Sequence, residues 1–327
     1  MSIPKYVFDA IISRFPKNYS LAFAYGSSVF PQSNKLVDNT AMVDFIFAVD
    51  NPSSWHKSNM EMNHNHYSLV KYAGSEFIKN LQEHFGAKVY FNTLVNVENR
   101  LIKYGVISTS NLIEDLLDWQ TLYISGRLHK PVQILNKIEN LELQSALKTN
   151  LQSALHSALL CLPETFTEEE LYIKIAELSY CGDFRMYFGE DKQKVQKIVK
   201  NQMPHFKKLY AEELQLMPLL YWSQNKSIIE QDNSSATTLH HLFLLPKRVQ
   251  HNLLVTWNRD GRFRDMEDVL QSVAHDPDCS EMVKKAIQNI TLLPSITQSA
   301  KGILTAGVLK SIKYSSRKLK KMVKSMT

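Results

Sequence analysis

The chain has 327 residues, with 38 lysines and arginines against 32 aspartates and glutamates, for a formal charge of +6. Residues 282–327 hold ten basic groups and no acidic one, so the preceding 281 residues sum to −4. A protein that is basic throughout is excluded, and with it a general nucleic-acid surface on the body; what remains is a near-neutral body with a cationic C-terminal appendage. At 44% hydrophobic and 10% aromatic the composition is that of a folded chain, and the length suggests two domains. Cys161, Cys181 and Cys279 are far apart and lack CxxC spacing, which supports neither a disulfide framework nor a zinc site and suits a reducing compartment. No run reaches the roughly 18 apolar residues of a spanning helix, and MSIPKYVFDAIISRF lacks the apolar core of a secretory signal.

In chain order, residues 20–50 predict strand, glycine turn, loop and strand: SLAFAYGSSVF, the polar PQSNKLVDNT, then AMVDFIFAVD. The second run is β-branched and aromatic and too short for a helix, as suits a buried central strand. NPSSW starts a helix carrying Trp55, His56 and Asn59, and SEFIKNLQEHFGA reads as an amphipathic helix stopped by Gly86. KVYFN and RLIKYGVIS are further strands, so residues 20–108 alternate strands and helices. Beyond residue 110, NLIEDLLDWQTLYISG and LQSALKTNLQSALHSALLCL have helical spacing, and TFTEEELYIKIAELS opens with a capping box at Thr167 and Glu170. The expected fold is α+β, with a mixed sheet-and-helix unit over residues 1–144, a mainly helical unit over 145–281 and a basic segment over 282–327. Within that segment SITQSAKG reads as a polar connector. The following ILTAGVLKSIKYSSRKLKKMVKSM gathers Leu309, Ile312, Leu319 and Val323 near one helical face, flanked by Lys310, Lys313, Arg317, Lys320 and Lys324.

Tyr25-Gly26-Ser27-Ser28 ends one strand and Asp44 opens the next. Glycine lets the backbone approach a bound group closely, and the following amides and the Ser27 hydroxyl can face phosphate oxygens. A carboxylate beside such a turn is where a Mg²⁺ bridging those phosphates would sit; the alternative is an ordinary strand-exit turn with a solvated Asp44. An aspartate inside the apolar run MVDFIF needs a cation, a donor set or water. Lys103, next to Tyr104 and Gly105, is the candidate triphosphate cation, against a plain surface lysine. His64 and His66 lack a third metal ligand at a workable spacing.

Strand, Gly-Ser turn, loop and strand with a carboxylate resembles the nucleotidyltransferases of the DNA polymerase beta superfamily. The longer strings YGSSVF, MVDFIFAVDNPSSWH, HYS, VYFN, RLIKYGVIS, IEDLLDW, GRLHKPV, YCGDFRMYFGEDK and VAHDPDC resemble the mitochondrial phosphatidate cytidylyltransferase family, over about residues 15–310. The resemblance implies CTP and phosphatidic acid as substrates, CDP-diacylglycerol and pyrophosphate as products, Mg²⁺ as cofactor, and a peripheral place on the matrix side of the mitochondrial inner membrane, feeding cardiolipin synthesis. It implies Ser27 and Asp44 as catalytic residues, Asp44 also as metal ligand, and Tyr25, Gly26, Ser27, Lys103 and Tyr104 against the nucleotide. Trp55, His56 and Asn59 become cleft candidates, against a helix simply packed on the sheet, and so do Asp183 and Arg185, against a capping turn with an internal ion pair, from a second domain that resembles a winged helix. The superfamily's paired carboxylates are incomplete here, since Met42 or Ile46 stands where the partner of Asp44 belongs. Asp38, Glu114, Asp115, water or the nucleotide itself are the open choices for the missing ligands; Asp50 lies about 20 Å along the strand, too far. The basic tail, through Lys310, Lys313, Arg317, Lys320 and Lys324, would then hold an anionic membrane surface. Two other readings stay open: the same chemistry on a nucleic-acid or protein acceptor, and an inactive winged-helix binding protein.

Overall fold

The two apolar runs around the glycine turn pair antiparallel as β1 (Leu21–Tyr25) and β2 (Val43–Val49), with Tyr25 opposite Asp44. They follow a first helix, α1 (Lys5–Ile12). This computed structural model describes residues 3–30, 41–188, 193–217, 220–222 and 228–307. After β2 the Asn51 side chain accepts the Ser54 N–H at 3.0 Å, capping α2 (Pro52–Met62), whose first residue is a proline preset for a helix start. Next come α3 (Gly74–His84) and a hairpin of β3 (Val89–Val97) and β4 (Arg100–Ser108). Its turn residues Glu98 and Asn99 have φ of 49° and 59°, as a two-residue type I′ turn requires. Strand β4 returns parallel to β2 and sets Lys103 beside Asp44.

After α4 (Thr109–Asp118) and the short α5 (Ser125–Leu128), β5 (Gln133–Ile134) completes a five-stranded sheet in the order β3, β4, β2, β1, β5. Strand β2 is therefore central, and the period of two divides its side chains between the faces. Val43, Phe45, Phe47 and Val49 share a core with Phe8, Trp55, Ile102 and Tyr104, beneath α1 and α2. Ile46 and Ala48 lie on the other face with Leu21, Phe23, Phe91 and Ile107, beneath α4. Asp44 and Lys103 belong by register to this second face.

The second unit is mainly helical, as its periodicity predicts. It comprises α6 (Leu141–Leu159), β6 (Thr165–Thr167), α7 (Glu168–Leu178), α8 (Arg185–Phe188), α9 (Lys194–Gln215), β7 (Leu220–Trp222) and β8 (Ile228–Gln231). Helices α10 (Ser235–Phe243), α11 (Lys247–Trp257), α12 (Met266–Ala274) and α13 (Cys279–Ala306) follow. The capping box forms: Thr167 Oγ1 accepts from Glu170 N at 3.2 Å, and the Glu170 carboxylate accepts from Thr167 N at 2.7 Å. A small antiparallel sheet, β6–β8–β7, accompanies the helices. The fold is α+β throughout.

Two helices belong to both units. Residue 144 lies inside α6, whose Leu143 and Ala146 pack on the first unit while Ala154, Leu155, Ala158 and Leu159 pack in the second. The stretch SITQSAKG is not a connector but part of α13. Its polar residues Ser295, Gln298 and Lys301 repeat every three residues and find partners inside. Gln298 accepts from Ala87 N at 3.0 Å and donates to the Val89 carbonyl at 3.1 Å, at the edge strand β3. Lys301 Nζ donates to the carbonyls of Leu81, Gln82 and Phe85, at 3.3, 3.2 and 2.5 Å, closing the C-terminus of α3. The tail residues Lys310, Lys313, Arg317, Lys320 and Lys324 lie outside the described residues. Among those described, no helix is long and apolar enough to cross a membrane.

Four histidines are buried and neutral. Burial brings His56 and His241 down to about 4 and His129 and His156 to about 3, helped by Lys130 beside His129 and by neighbouring imidazoles beside His156 and His241. The unfolded chain binds protons at these sites from about pH 6.5 downward while the folded chain refuses them until about pH 4 or below, so stability falls as pH falls through that window. Each contributes up to about 1.4 kcal/mol per pH unit. Urea midpoints measured at pH 7.5 and pH 5 should drop clearly at the lower pH; equal midpoints would show that these rings are not held neutral.

Candidate active site

Gly26 has φ of 90°, which a side chain would strain, and a β-carbon there would sit 3.6 Å from Asp44 Oδ2. The turn is stapled to the start of β2 by Ser28 Oγ, which donates to the Met42 carbonyl at 2.7 Å. Val29 and Phe30 N–H groups close it on the Gly26 carbonyl, at 3.1 and 3.0 Å, and leave Ser27 exposed at the tip. Three neighbouring strands thus set Tyr25, Asp44 and Lys103 in one row. Lys103 Nζ lies 4.2 Å from the centre of the Phe91 ring, on the same face.

The row continues into Tyr123, Arg127, Lys130 and Lys194, which sequence reasoning did not single out, and into Asp183 and Arg185, which it did. Arg127 of α5 stacks its guanidinium 5.3 Å from the Tyr25 ring and 4.1 Å from the Tyr123 ring. Arg185 approaches Tyr123 from the second unit at 5.8 Å. Lys130 donates to Ser179 Oγ at 2.7 Å and to the Gly126 carbonyl, and with Lys194 flanks the Tyr180 ring at 5.1 and 5.0 Å. Four cations therefore string along three tyrosine rings and a fifth, Lys103, lies on Phe91, with Asp44 and Asp183 as the carboxylates among the described residues of the row. Asp183 is buried, and its carboxylate takes Arg185 Nε in a forked contact at 2.9 and 3.1 Å.

The crowding shows in the proton equilibria. Burial, then Arg127 and Lys194, push the Lys130 ammonium well below its ordinary value. Burial alone would raise the Tyr123 phenol, but Arg127, Arg185 and Lys103 outweigh it and bring it to about 8. Asp183 is held low: burial opposes ionisation, and the bonds and charge of Arg185 overcome it.

Two local devices fix this arrangement. The buried Asp115 carboxylate accepts from the N–H groups of Thr121, Leu122, Ile124 and Ser125 and from Thr121 Oγ1, at 2.7–3.3 Å, which folds the loop presenting Tyr123 and Arg127. Gly182, at φ of 80°, lets its loop touch α13, where a β-carbon would come within 2.5 Å of the Gln288 carbonyl. Asp115 is thus committed to backbone, and Glu114 pairs with Lys88 at 2.7 Å, so neither supplies the missing carboxylate. Asp38 lies outside the described residues. Among those described, no three His, Cys, Asp or Glu side chains converge as a metal group. Asp44 alone fits an ion that arrives with a nucleotide, because Mg²⁺ is commonly held by one or two carboxylates plus phosphates.

Four candidates are not brought to this face. Tyr104 follows Lys103 on the strand and so points the opposite way, fully buried, its hydroxyl accepting from Asn59 and Asn92, each at 2.9 Å. His56 and Asn59 bond the Tyr67 hydroxyl at 2.8 Å, and Trp55 donates to the Pro16 carbonyl at 3.2 Å, all beneath α2. They form a polar network within that core. A cavity of about 890 Å³ opens nearby, at the other end of β2 around Asp50, Asn51 and Lys137. Its lining carries Asp9, Asp50 and Glu139 against Lys17 and Lys137, the wrong balance for a polyphosphate. The cation row on the Asp44 face is the better candidate.

A sequence profile of the family described as phosphatidate cytidylyltransferase, mitochondrial, matches residues 8–321. The chain belongs to this family. Relatives carrying the same name are 50% identical in Xenopus laevis, over 98% of this chain and 95% of the relative, and 52% identical in Danio rerio, over 95% and 93%. The relative in Caenorhabditis elegans is 42% identical over 96% of this chain and 98% of its own length. In this member of the family a glycine turn, the carboxylates Asp44 and Asp183 and a row of cations lie together at the junction of the two units. Tyr123 gives this arrangement a spectroscopic handle. Absorbance at 295 nm should show one tyrosine titrating near pH 8, absent in Tyr123→Phe and shifted upward by a bound triphosphate; no such phase would contradict the cation row.

Proposed function

We propose that the chain transfers the cytidylyl group of CTP to phosphatidic acid, forming CDP-diacylglycerol and releasing pyrophosphate. The observation that carries this reading is the row of five cations beside the Gly26 turn and Asp44, a match in sign and shape for a triphosphate. An oxygen of the phosphatidate attacks the α-phosphorus, a P–O bond forms, and the bond to the bridging oxygen breaks with its electrons leaving on pyrophosphate. The nucleophile is already an anion, so alignment and charge stabilisation dominate over general-base help.

Gly26 lets backbone meet the phosphates, with the Ser27 hydroxyl at the tip of the turn. Lys103, Arg127 and Arg185 neutralise the triphosphate and the departing pyrophosphate. Lys130 and Lys194 extend the positive field toward the second unit. Asp44 would hold Mg²⁺ with the phosphates, and the ion when bound adds further neutralisation of their charge. The relatives' names, the absence of a spanning helix among the described residues and the cationic C-terminus support a peripheral protein of a mitochondrial membrane, on the matrix face of the inner membrane in our reading, with its product directed to cardiolipin.

Full-length protein incubated with Mg²⁺, α-labelled CTP and phosphatidic-acid vesicles should place label in lipid, and chelation should stop it. Absence of labelled lipid contradicts the reading, and label in added RNA or in protein moves the acceptor. Asp44→Asn should lower turnover by about 10²-fold or more with unchanged thermal midpoint, whereas wild-type turnover would remove Asp44 from the site. Lys103→Met should act mainly on KM for CTP, raising it about tenfold.

A further inference from the structure

Lys130 carries its charge among neutral partners. The partly buried ammonium donates to the Gly126 carbonyl and, at 2.7 Å, to Ser179 Oγ, and no described carboxylate bonds it. Its charged neighbours are Arg127 and Lys194, both positive. Closing the end of α5 on the Gly126 carbonyl does not require a charge, and holding one beside two like charges away from water is costly unless an anion joins them. The row also has a direction. Lys103 acts on Tyr25 and Tyr123, and Lys130 is acted on by Arg127 and Lys194, so Arg127 stands between two ends. At one end are the Gly26 turn, Asp44 and Lys103, on the sheet. At the other, Lys130 from the first unit and Lys194 from the second lie 5.1 and 5.0 Å from the centre of the Tyr180 ring. Lys194 opens α9, and the positive end of a helix dipole favours an anion at the same place.

We propose that Lys130 and Lys194 hold the phosphate of the acceptor, so that the row is divided between a triphosphate on Lys103, Arg127 and Arg185 and a phosphomonoester on the lysine pair. This division rests on the reading of the acceptor as phosphatidic acid. Geometry and charge both favour the acceptor over a farther phosphate of the nucleotide. An in-line displacement needs the attacking and departing oxygens on opposite sides of the α-phosphorus. The Gly26 turn and Asp44 gather the departing pyrophosphate at one end, which leaves the lysine end for the attacking group. A phosphomonoester carries about −1.5 to −2 charges at pH 7, a match for two ammoniums. Its oxygen then bonds to the α-phosphorus, and the bonding electrons of the broken P–O bond leave on pyrophosphate. The acceptor's phosphate is now part of a diphosphate and keeps a single negative charge. The lysine pair therefore grips the substrate more tightly than the product and loosens its hold as the bond forms.

The test titrates the full chain, with Mg²⁺ and a CTP analogue whose α,β-bridging oxygen is replaced by methylene, against four probes: glycerol 3-phosphate, its methyl diester, inorganic phosphate and dihexanoyl phosphatidic acid. Glycerol 3-phosphate should bind about tenfold or more tightly than the diester, and phosphatidic acid more tightly than inorganic phosphate. Lys194→Met should weaken both monoesters about tenfold and CTP by less than about threefold, with an unchanged thermal midpoint. Lys130→Met should show the same split, even where the loss of its bonds to Ser179 and Gly126 lowers the midpoint. A diester bound as tightly as the monoester, inorganic phosphate bound as tightly as phosphatidic acid, or variants that weaken CTP as much as the monoesters would overturn the proposal. On detergent-dispersed phosphatidic acid, Lys194→Met should raise KM for the lipid about tenfold and leave KM for CTP nearly unmoved. Turnover with the lipid KM unmoved leaves the reaction standing and removes the lysine pair. The expected monoester binding, without any transfer by the wild-type chain, does the reverse.

Discussion

Confinement of like charge is the constraint on which the candidate site depends. Lys103, Arg127, Lys130, Arg185 and Lys194 are held along one row of aromatic rings; burial and then the neighbouring cations depress the Lys130 ammonium, and the positive field of Arg127, Arg185 and Lys103 lowers the Tyr123 phenol against its burial. Such a row persists only if the surrounding fold holds each member in place. Tyrosine faces take four of the cations and Phe91 takes Lys103, Asp183 also takes Arg185, and carbonyls of residues 123 and 126 take Arg127 and Lys130. In the proposed reading a polyanion would relieve what remains, so that the site would favour a triphosphate over an uncharged nucleoside.

The row crosses from one unit to the other, so its geometry is only as firm as their joint. Helices α6 and α13 make that joint by lending residues to both cores or both backbones. In α13 the union is polar: a glutamine and a lysine occupy backbone groups at the sheet edge that would otherwise be buried without partners. An edge strand that could pair with another chain is blocked by the same contact. Arg185 therefore reaches the first unit from a loop whose position is set by a helix anchored beyond the active-site sheet.

The β1–turn–β2 unit was legible because its apolar runs are short and β-branched and glycine marks the turn; Asp44 stood out as a carboxylate in an apolar strand. Lys103 was legible and Tyr104 was not, for one reason: adjacent strand residues point to opposite faces, and sequence alone does not say which face holds the site. Trp55, His56 and Asn59 could be read either as pocket lining or as a helix packed on the sheet, because a buried polar network has the same composition as a pocket lining. Tyr123, Arg127 and Lys130 carried no periodic signal, since their loop is shaped by donors gathering on Asp115. SITQSAKG read as a connector because polar residues are ordinarily outside. Its burial follows from tertiary partners more than 200 residues away, which no local pattern records.

The central claim is that the cation row is a triphosphate site. Calorimetric titration of the full chain with CTP and with CMP, in the presence of Mg²⁺ and at two salt concentrations, tests it most directly. The account predicts that CTP binds about 100-fold more tightly than CMP, that this margin shrinks with salt, and that Arg127→Met removes most of it. Equal affinity for the two nucleotides, with no dependence on salt or on Arg127, would contradict it.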